Sequence, residues 1–420
     1  MEFSAFGQRL AARSGIVELM DDLGEALSIN PDILFLGGGN PAHIPALEQW
    51  AQKAITELVQ EPQSLRRLIG IYQSPQGQNS TLQALAGYLK KTCGWRISER
   101  NIALVNGSQT AFFILLNLFG GRGADGESRP IGLPLTPEYL GYASQGVSGT
   151  LTDNVFEAAK PRIEWLNDRR FKYHIDFDNV RSLPKVGAYC VSRPTNPSGN
   201  VLSDNEMAEL GALARAQQVP LIVDCAYGLP FPGLIYGDAR PYWDTNSIAV
   251  MSLSKLGFPG LRTGIIVADE EVIEAVARVN TLVSLASGNF GPMLLDRLLQ
   301  RDDMSRLCRD ELQPFYRKQR DFLVAQLDSQ LVGIPYAIHE PEGAMFVWLW
   351  LQDLPITSQE LYQRLKKRGV LVMAGEEFFF GLQEDWPHRR QCLRLTYCQG
   401  FSVITKAVTI LAEEVTDLYG

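Results

Sequence analysis

Four histidines and six cysteines in 420 residues leave little material for a metal centre or a disulfide framework. No two cysteines stand as a Cys-x-x-Cys pair, and His43, His174, His339 and His388 show no ligand spacing, so no zinc or redox motif is present. Long apolar runs are missing as well. The longest, around Ala111–Phe119 and Met345–Leu351, are too short to span a bilayer. Basic charge is in deficit, with 39 Lys and Arg against 47 Asp and Glu and a formal charge of −8, which argues against a general nucleic-acid or anionic-membrane surface. Repeats, low-complexity tracts and a basic-then-apolar leader are not seen. A reduced, cytoplasmic protein is the expectation.

What remains is an ordinary globular composition, 45% hydrophobic and 20% charged, over a length that suits two domains. The middle of the chain alternates short apolar runs with amphipathic ones. Ile102–Val105, Gly187–Val191, Pro220–Asp224, Ile248–Ser252 and Ile265–Ala268 read as strands. Gly107-Ser108-Gln109 opens an apolar helix, and Ser203 with Glu206 has capping-box spacing before another. Strands apolar throughout and separated by helices predict an α/β sheet covered on both faces. Toward the C-terminus, Ala344–Leu351 and Cys392–Tyr397 partly alternate around a helix capped by Thr357 and Glu360, which predicts a smaller α+β domain. The expected division is an N-terminal segment, 1–47, packing across the domain seam, a large domain, 48–300, and a small domain, 301–420.

Ligands of such sheets bind beyond the carboxyl ends of the strands. Asn196, Asp224, Tyr227, Ser252 and Lys255 all lie just past predicted strand ends. Gly107-Ser108-Gln109 adds a helix N-terminus, whose open N–H groups favour a phosphate, and Ser252 with Arg262 adds a hydroxyl and a cationic fork. Lys255 can form a Schiff base with a carbonyl once neighbouring charge and desolvation lower its pKa from about 10.4. Asp224, the only acid closing a clean apolar strand, would keep a pyridine nitrogen protonated, and Asn196 and Tyr227 could bond a phenolate oxygen. Pyridoxal 5'-phosphate meets all these demands.

The arrangement resembles the class I and II aminotransferases, pyridoxal-phosphate-dependent transferases of fold type I. The likeness covers nearly the whole chain. It is carried by Leu36-Gly37-Gly38-Gly39-Asn40-Pro41, Tyr72 before Pro75-Gln76-Gly77, Asn106-Gly107-Ser108-Gln109, Pro137-Glu138-Tyr139, Asn196-Pro197-Ser198-Gly199, Asp224 with Tyr227, Ser252/Lys255/Arg262, and Arg394. It implies a large domain with a mostly parallel, seven-stranded-type sheet and a smaller α+β domain. It further implies Lys255 as internal aldimine and acid/base, Tyr139 stacked on the cofactor ring, and Gly107, Ser108, Gln109, Ser252 and Arg262 at the phosphate. Arg394 and the backbone of Gly39, with Asn196, would bind the substrate carboxylate, and Tyr72 would reach the partner's phosphate in a homodimer. A finer likeness lies in Phe6-Gly7, Ser14-Gly15-Ile16, Val191–Pro197, Tyr227–Gly233 and Glu342–Trp350. It implies a ping-pong reaction that takes valine and pyruvate to 2-oxoisovalerate and alanine.

Plainer readings exist for each residue taken singly: Lys255 as surface, Asp224 as a cap, Arg394 as a salt-bridged strand residue, Tyr72 and Tyr139 as core or interface aromatics. The series as a whole outweighs them. Gly121, Gly123 and Gly126 match a dinucleotide spacing but follow a helix, so a helix exit is expected there. Trp386–Arg390 reads as a solvated loop, and Cys225 as core packing. A broader alanine or aliphatic aminotransferase and a β-lyase share the cofactor motifs. A non-catalytic sensor domain is disfavoured by the retained Lys255 and Arg394, and because these features begin too near residue 1 to leave room for a basic DNA-binding segment.

Overall fold

A computed structural model describes residues 2–12, 24, 25, 28, 32–147 and 155–420. Ser14-Gly15-Ile16 of the finer likeness, and much of the segment expected at the domain seam, lie outside them. By packing, the chain forms two compact units. The first takes residues 1–39, 119–202 and 316–420; the second takes 40–118 and 203–315.

In the second unit four strands run in the order Ile102–Val105, Gly264–Val267, Ser247–Ser252, Leu221–Asp224. Leu221–Asp224 and Ser247–Ser252 are parallel, while Gly264–Val267 is antiparallel to both its neighbours. Every residue of the four is buried, the signature of a sheet covered on both faces. The helix Asp204–Ala216 starts at the expected capping box: Glu206 N donates to Ser203 Oγ at 3.2 Å, and Ser203 N donates to Glu206 Oε2 at 2.8 Å. The helices Pro45–Gln60 and Phe290–Gln300 pack Ala54 and Leu58 on Met293 and Leu294. Burying such a leucine contributes about 1.5–3 kcal/mol.

The first unit holds three parallel strands, Phe156–Ala158, Ile131–Leu133 and Ala188–Ser192 in that order. It also holds a six-stranded sheet ordered Met373–Ala374, Cys392–Thr396, Phe346–Leu351, Tyr336–His339, Arg170–His174, Arg162–Asn167. Gly121, Gly123 and Gly126 follow the end of the helix Ser108–Phe119, as expected, and shape a hairpin in which Gly121–Arg122 pairs with Ser128–Arg129 and Gly123 N donates to Glu127 O at 2.8 Å. Two expectations change here. Phe346–Leu351 and Cys392–Thr396 do not alternate in burial; all but Trp350 is buried, so both faces of these strands are covered. Trp386–Arg390 is no solvated loop, since Pro387–Arg390 is a 3-10 helix with His388 buried.

His388 is boxed by aromatic rings. Trp386 stacks on it with centroids 4.4 Å apart, Trp350 meets it edge-on at 4.3 Å, and its Nε2 shares a hydrogen bond with the Tyr173 hydroxyl. Trp348 Nε1 donates to that hydroxyl at 3.0 Å, and Tyr173 N donates to His339 Nε2 at 3.1 Å. Among the described residues no helix is long and apolar enough to cross a membrane, and no group of acids, histidines and cysteines could hold a metal.

Burial pushes His388 down to about 3, with a smaller push from Lys160, and burial pushes His339 well below the usual range. Both rings are therefore neutral in the folded protein and protonate near 6.5 only when unfolded. Their stabilisation is complete above about pH 6.5 and falls as the pH drops below it, that of His388 being lost as the pH approaches 3. By pH 5, His388 alone forfeits about 2 kcal/mol. The urea midpoint of wild type should fall more steeply between pH 6.5 and 4.5 than that of His388→Gln; parallel profiles would contradict a buried neutral ring.

Candidate active site

The second unit gathers a cradle at the carboxyl end of its sheet. Ser252 pairs with Gly264 and Gly264 with Val105, so three strand ends lie in one row. Val105 leads through Asn106 and Gly107 into the helix Ser108–Phe119. A Cβ on Gly264 would lie 2.5 Å from the Gly107 carbonyl carbon and 2.7 Å from Ser108 N, so the helix start rests directly on the strand. Gly107 has φ +88, and a Cβ there would collide with the Arg262 guanidinium. Helix N–H groups, the Ser252 hydroxyl and an exposed guanidinium thus converge. That donor set fits a phosphate. Gln109 sits in the first helical turn and is exposed.

Lys255 stands beside this cradle. Ser254 N donates to Ser252 Oγ at 2.9 Å, opening the 3-10 turn Ser254–Leu256, which Gly257 ends at φ +114. Its Nζ lies 5.3 Å from the centre of the Tyr227 ring. One strand over, Asp224 ends its strand opposite Val250, buried, with Oδ1 accepting from Ala226 N at 2.8 Å. A primary amine on a tight turn and a buried carboxylate at a strand end are the groups an aldehyde-bearing pyridine requires. Tyr72 is 84% exposed, beside Ile71, whose carbonyl accepts from Asn289 Nδ2 at 2.7 Å.

The first unit carries a different half. Arg394, on Cys392–Thr396, is buried; its Nη1 donates to Asn196 Oδ1 at 2.8 Å and its Nη2 to Gly37 O at 2.7 Å. Phe346 lies 4.2 Å and Phe378 5.3 Å from the guanidinium carbon. A guanidinium held in plane this way is set for bidentate contact with a carboxylate. Gly39 adjoins the same glycine run. Asn196 is fixed by its loop: Gly199 N donates to Thr195 O at 2.8 Å, and Lys172 Nζ donates to Asn200 Oδ1 and Val201 O, each at 3.0 Å, and to Glu342. Tyr139 lays its ring where a Gly141 side chain would be and meets Tyr142 edge-on at 5.2 Å.

The structure thus groups Gly107, Ser108, Ser252 and Arg262, with Lys255, Asp224 and Tyr227 on adjoining strand ends; it groups Arg394 with Asn196 in the other unit. Gly264 and Phe378 were not singled out by sequence reasoning, and Gly37 and Phe346 stood within quoted motifs without a role of their own. Gly264 did carry a signal, a glycine opening an apolar strand, which marks close backbone approach.

The chain belongs to the class I and II aminotransferases, pyridoxal-phosphate enzymes of fold type I, and residues 162–407 match that family's model. Over 415 residues it is 46% identical to the valine–pyruvate aminotransferase of Escherichia coli, covering 99% of this chain and 98% of that enzyme. A solved structure of valine–pyruvate aminotransferase from Salmonella typhimurium is 45% identical with a TM-score of 0.88, covering 96% of this chain and 99% of that one. A solved structure from Psychrobacter arcticum is 42% identical with a TM-score of 0.96, over 100% of this chain and 99% of that one.

Gly107→Ala should force an unfavourable positive φ, costing about 1–3 kcal/mol, and displace Arg262. Pyridoxal-phosphate affinity, read by dialysis and absorbance, should fall at least about tenfold. An unchanged affinity would remove Gly107 and Arg262 from the cofactor site.

Proposed function

We propose that the chain transfers the amino group of valine to pyruvate, giving 2-oxoisovalerate and alanine. The observation that carries this reading is the buried Arg394–Asn196 pair, a carboxylate-binding group in a chain whose other unit presents Lys255 beside a phosphate cradle. Similarity to valine–pyruvate aminotransferases supports the choice of substrates. Near Ser284–Pro292 the chain shows small and apolar residues and no cation for a second carboxylate, which suits an aliphatic side chain.

Bound pyridoxal phosphate would supply an aldehyde to accept the amino group and a ring to draw electrons from the Cα–H bond. Gly107, Ser108, Gln109, Ser252 and Arg262 hold its phosphate in this reading. Asp224 keeps a proton on the pyridine nitrogen, Asn196 and Tyr227 donate to the phenolate oxygen, and Tyr139 packs on the ring. Arg394, with the Gly39 backbone and Asn196, grips the substrate carboxylate and so orients the Cα–H bond toward Lys255. Lys255 takes the proton from Cα of valine and returns one to Cα of the nascent alanine.

We further propose a homodimer in which Tyr72 reaches the partner's phosphate. Its support is a set of exposed apolar residues, Ile69, Ile71, Tyr72, Leu282, Leu285 and Phe290, on two segments that Asn289 joins through Arg67 O and Ile71 O. Residues 48–300 and 301–420 are the proposed large and small domains, with 1–47 as an N-terminal segment, and the cytoplasm is the proposed location.

Lys255→Ala should abolish the visible absorbance of the bound cofactor and nearly all transamination; turnover at the wild-type rate would remove the lysine from the reaction. Arg394→Ala should raise KM for valine and pyruvate about 10–100-fold and leave cofactor absorbance intact. A steady-state preference for aspartate over valine, or elimination from cystathionine, would overturn the substrate assignment in favour of a sister activity. Sedimentation equilibrium at micromolar concentration should show a dimer, and a monomer there would end the interface proposal.

A further inference from the structure

Glu138 is a carboxylate with no accessible surface, and no step of the reaction above uses it. Burying such a group without hydrogen bonds is strongly unfavourable, so its partners are informative. Tyr139 N donates to Oε1 at 2.8 Å, Ser192 N donates to Oε2 at 2.9 Å, and the Ser192 hydroxyl donates to Oε1. Glu138 N itself donates to Phe378 O at 2.8 Å.

Each partner leads to one part of the amino-acid half of the site. Tyr139 is the ring platform. Ser192 ends the strand Ala188–Ser192, and its carbonyl accepts from Thr195 Oγ1 at 3.1 Å, one residue before Asn196. Phe378 is a wall beside the Arg394 guanidinium. The buried side chain therefore fastens the Tyr139 main chain to Ser192, 54 residues on, while the Glu138 main chain separately meets Phe378.

We propose that the Glu138 carboxylate is the positioning residue of this half-site, setting the Tyr139 ring and the Asn196 loop together. Charge is required as well as shape. A glutamine of the same outline has one acceptor oxygen. Whichever way its amide is turned, its NH2 group faces either Tyr139 N–H or Ser192 N–H, and one donor is left without an acceptor. The substitution thus releases one arm of the hub in either orientation.

This inference rests on the reading of Tyr139 as cofactor platform and Arg394 as carboxylate clamp, and the test separates the two. Holoenzyme carrying Glu138→Gln is compared with wild type in three measurements: thermal melting, the visible circular dichroism of the bound cofactor, and titration with isovalerate. Isovalerate has valine's skeleton without the amino group, so it binds without reacting. The expected result is an isovalerate dissociation constant raised about tenfold together with an altered dichroism. Ser192→Ala, which removes only the hydroxyl donor, should move both in the same direction by less. A variant that only melts lower, with dichroism and isovalerate affinity as in wild type, would reduce Glu138 to a structural role and overturn the proposal. If E138Q yields no soluble protein, wild-type values in S192A overturn it equally. If R394A binds isovalerate as wild type does, the clamp reading itself fails, and the dichroism then decides for Glu138 and Tyr139 alone.

Discussion

Where Gly264 pairs with Val105, the main chain of Gly107 and Ser108 comes to rest on the strand with no room for a side chain between them. Much of the second unit's chemistry depends on that close approach. It sets the helix Ser108–Phe119 with its N-terminal amides at the strand ends, beside Ser252. It also leaves the space over Gly107 to the Arg262 guanidinium. The donor set that suits an anion here consists of main-chain groups whose positions the sheet dictates, with one hydroxyl and one cation beside them. The lysine turn needs the same anchor, because Ser252 is also the acceptor that starts it.

The first unit solves a different problem. A guanidinium is kept charged in a buried setting, which requires acceptors for its N–H groups and low-cost neighbours for its faces. Asn196 and Gly37 supply the acceptors, and Phe346 and Phe378 supply the faces. The two units thus hold different polar groups, a lysine turn beside main-chain amides in one and a buried guanidinium in the other.

Much of this was legible in the sequence, for identifiable reasons. Ile102–Val105 was read with its observed bounds, and both capping boxes stand where Ser203 and Thr357 placed them, because those signals are local. The lysine turn, Asp224 and the phosphate donors lie at strand ends, where apolar runs stop abruptly. What escaped reading depends on distant partners. Arg162–Asn167 is largely exposed and looks like a polar connection; its place in the six-stranded sheet follows from Arg170 pairing with Ile338. Trp386–Arg390 carries two arginines and looks solvated, yet rings from Tyr173 and Trp350 enclose its histidine. Glu138 stood inside a recognised motif without a role, since its donor Ser192 lies 54 residues on.

The Lys172 ammonium has a bearing on which sequences this fold admits. Its contacts come from three directions: the Asn200 side chain, the Val201 carbonyl and the Glu342 carboxylate. An ammonium has three N–H bonds in a tripod, and each finds one acceptor. A guanidinium is flat and spreads its N–H bonds in one plane, so it does not present this tripod. Position 172 therefore selects between the two basic residues by symmetry rather than by charge. Homologous chains that carry arginine there would have to rebuild the Asn200 turn to accommodate it.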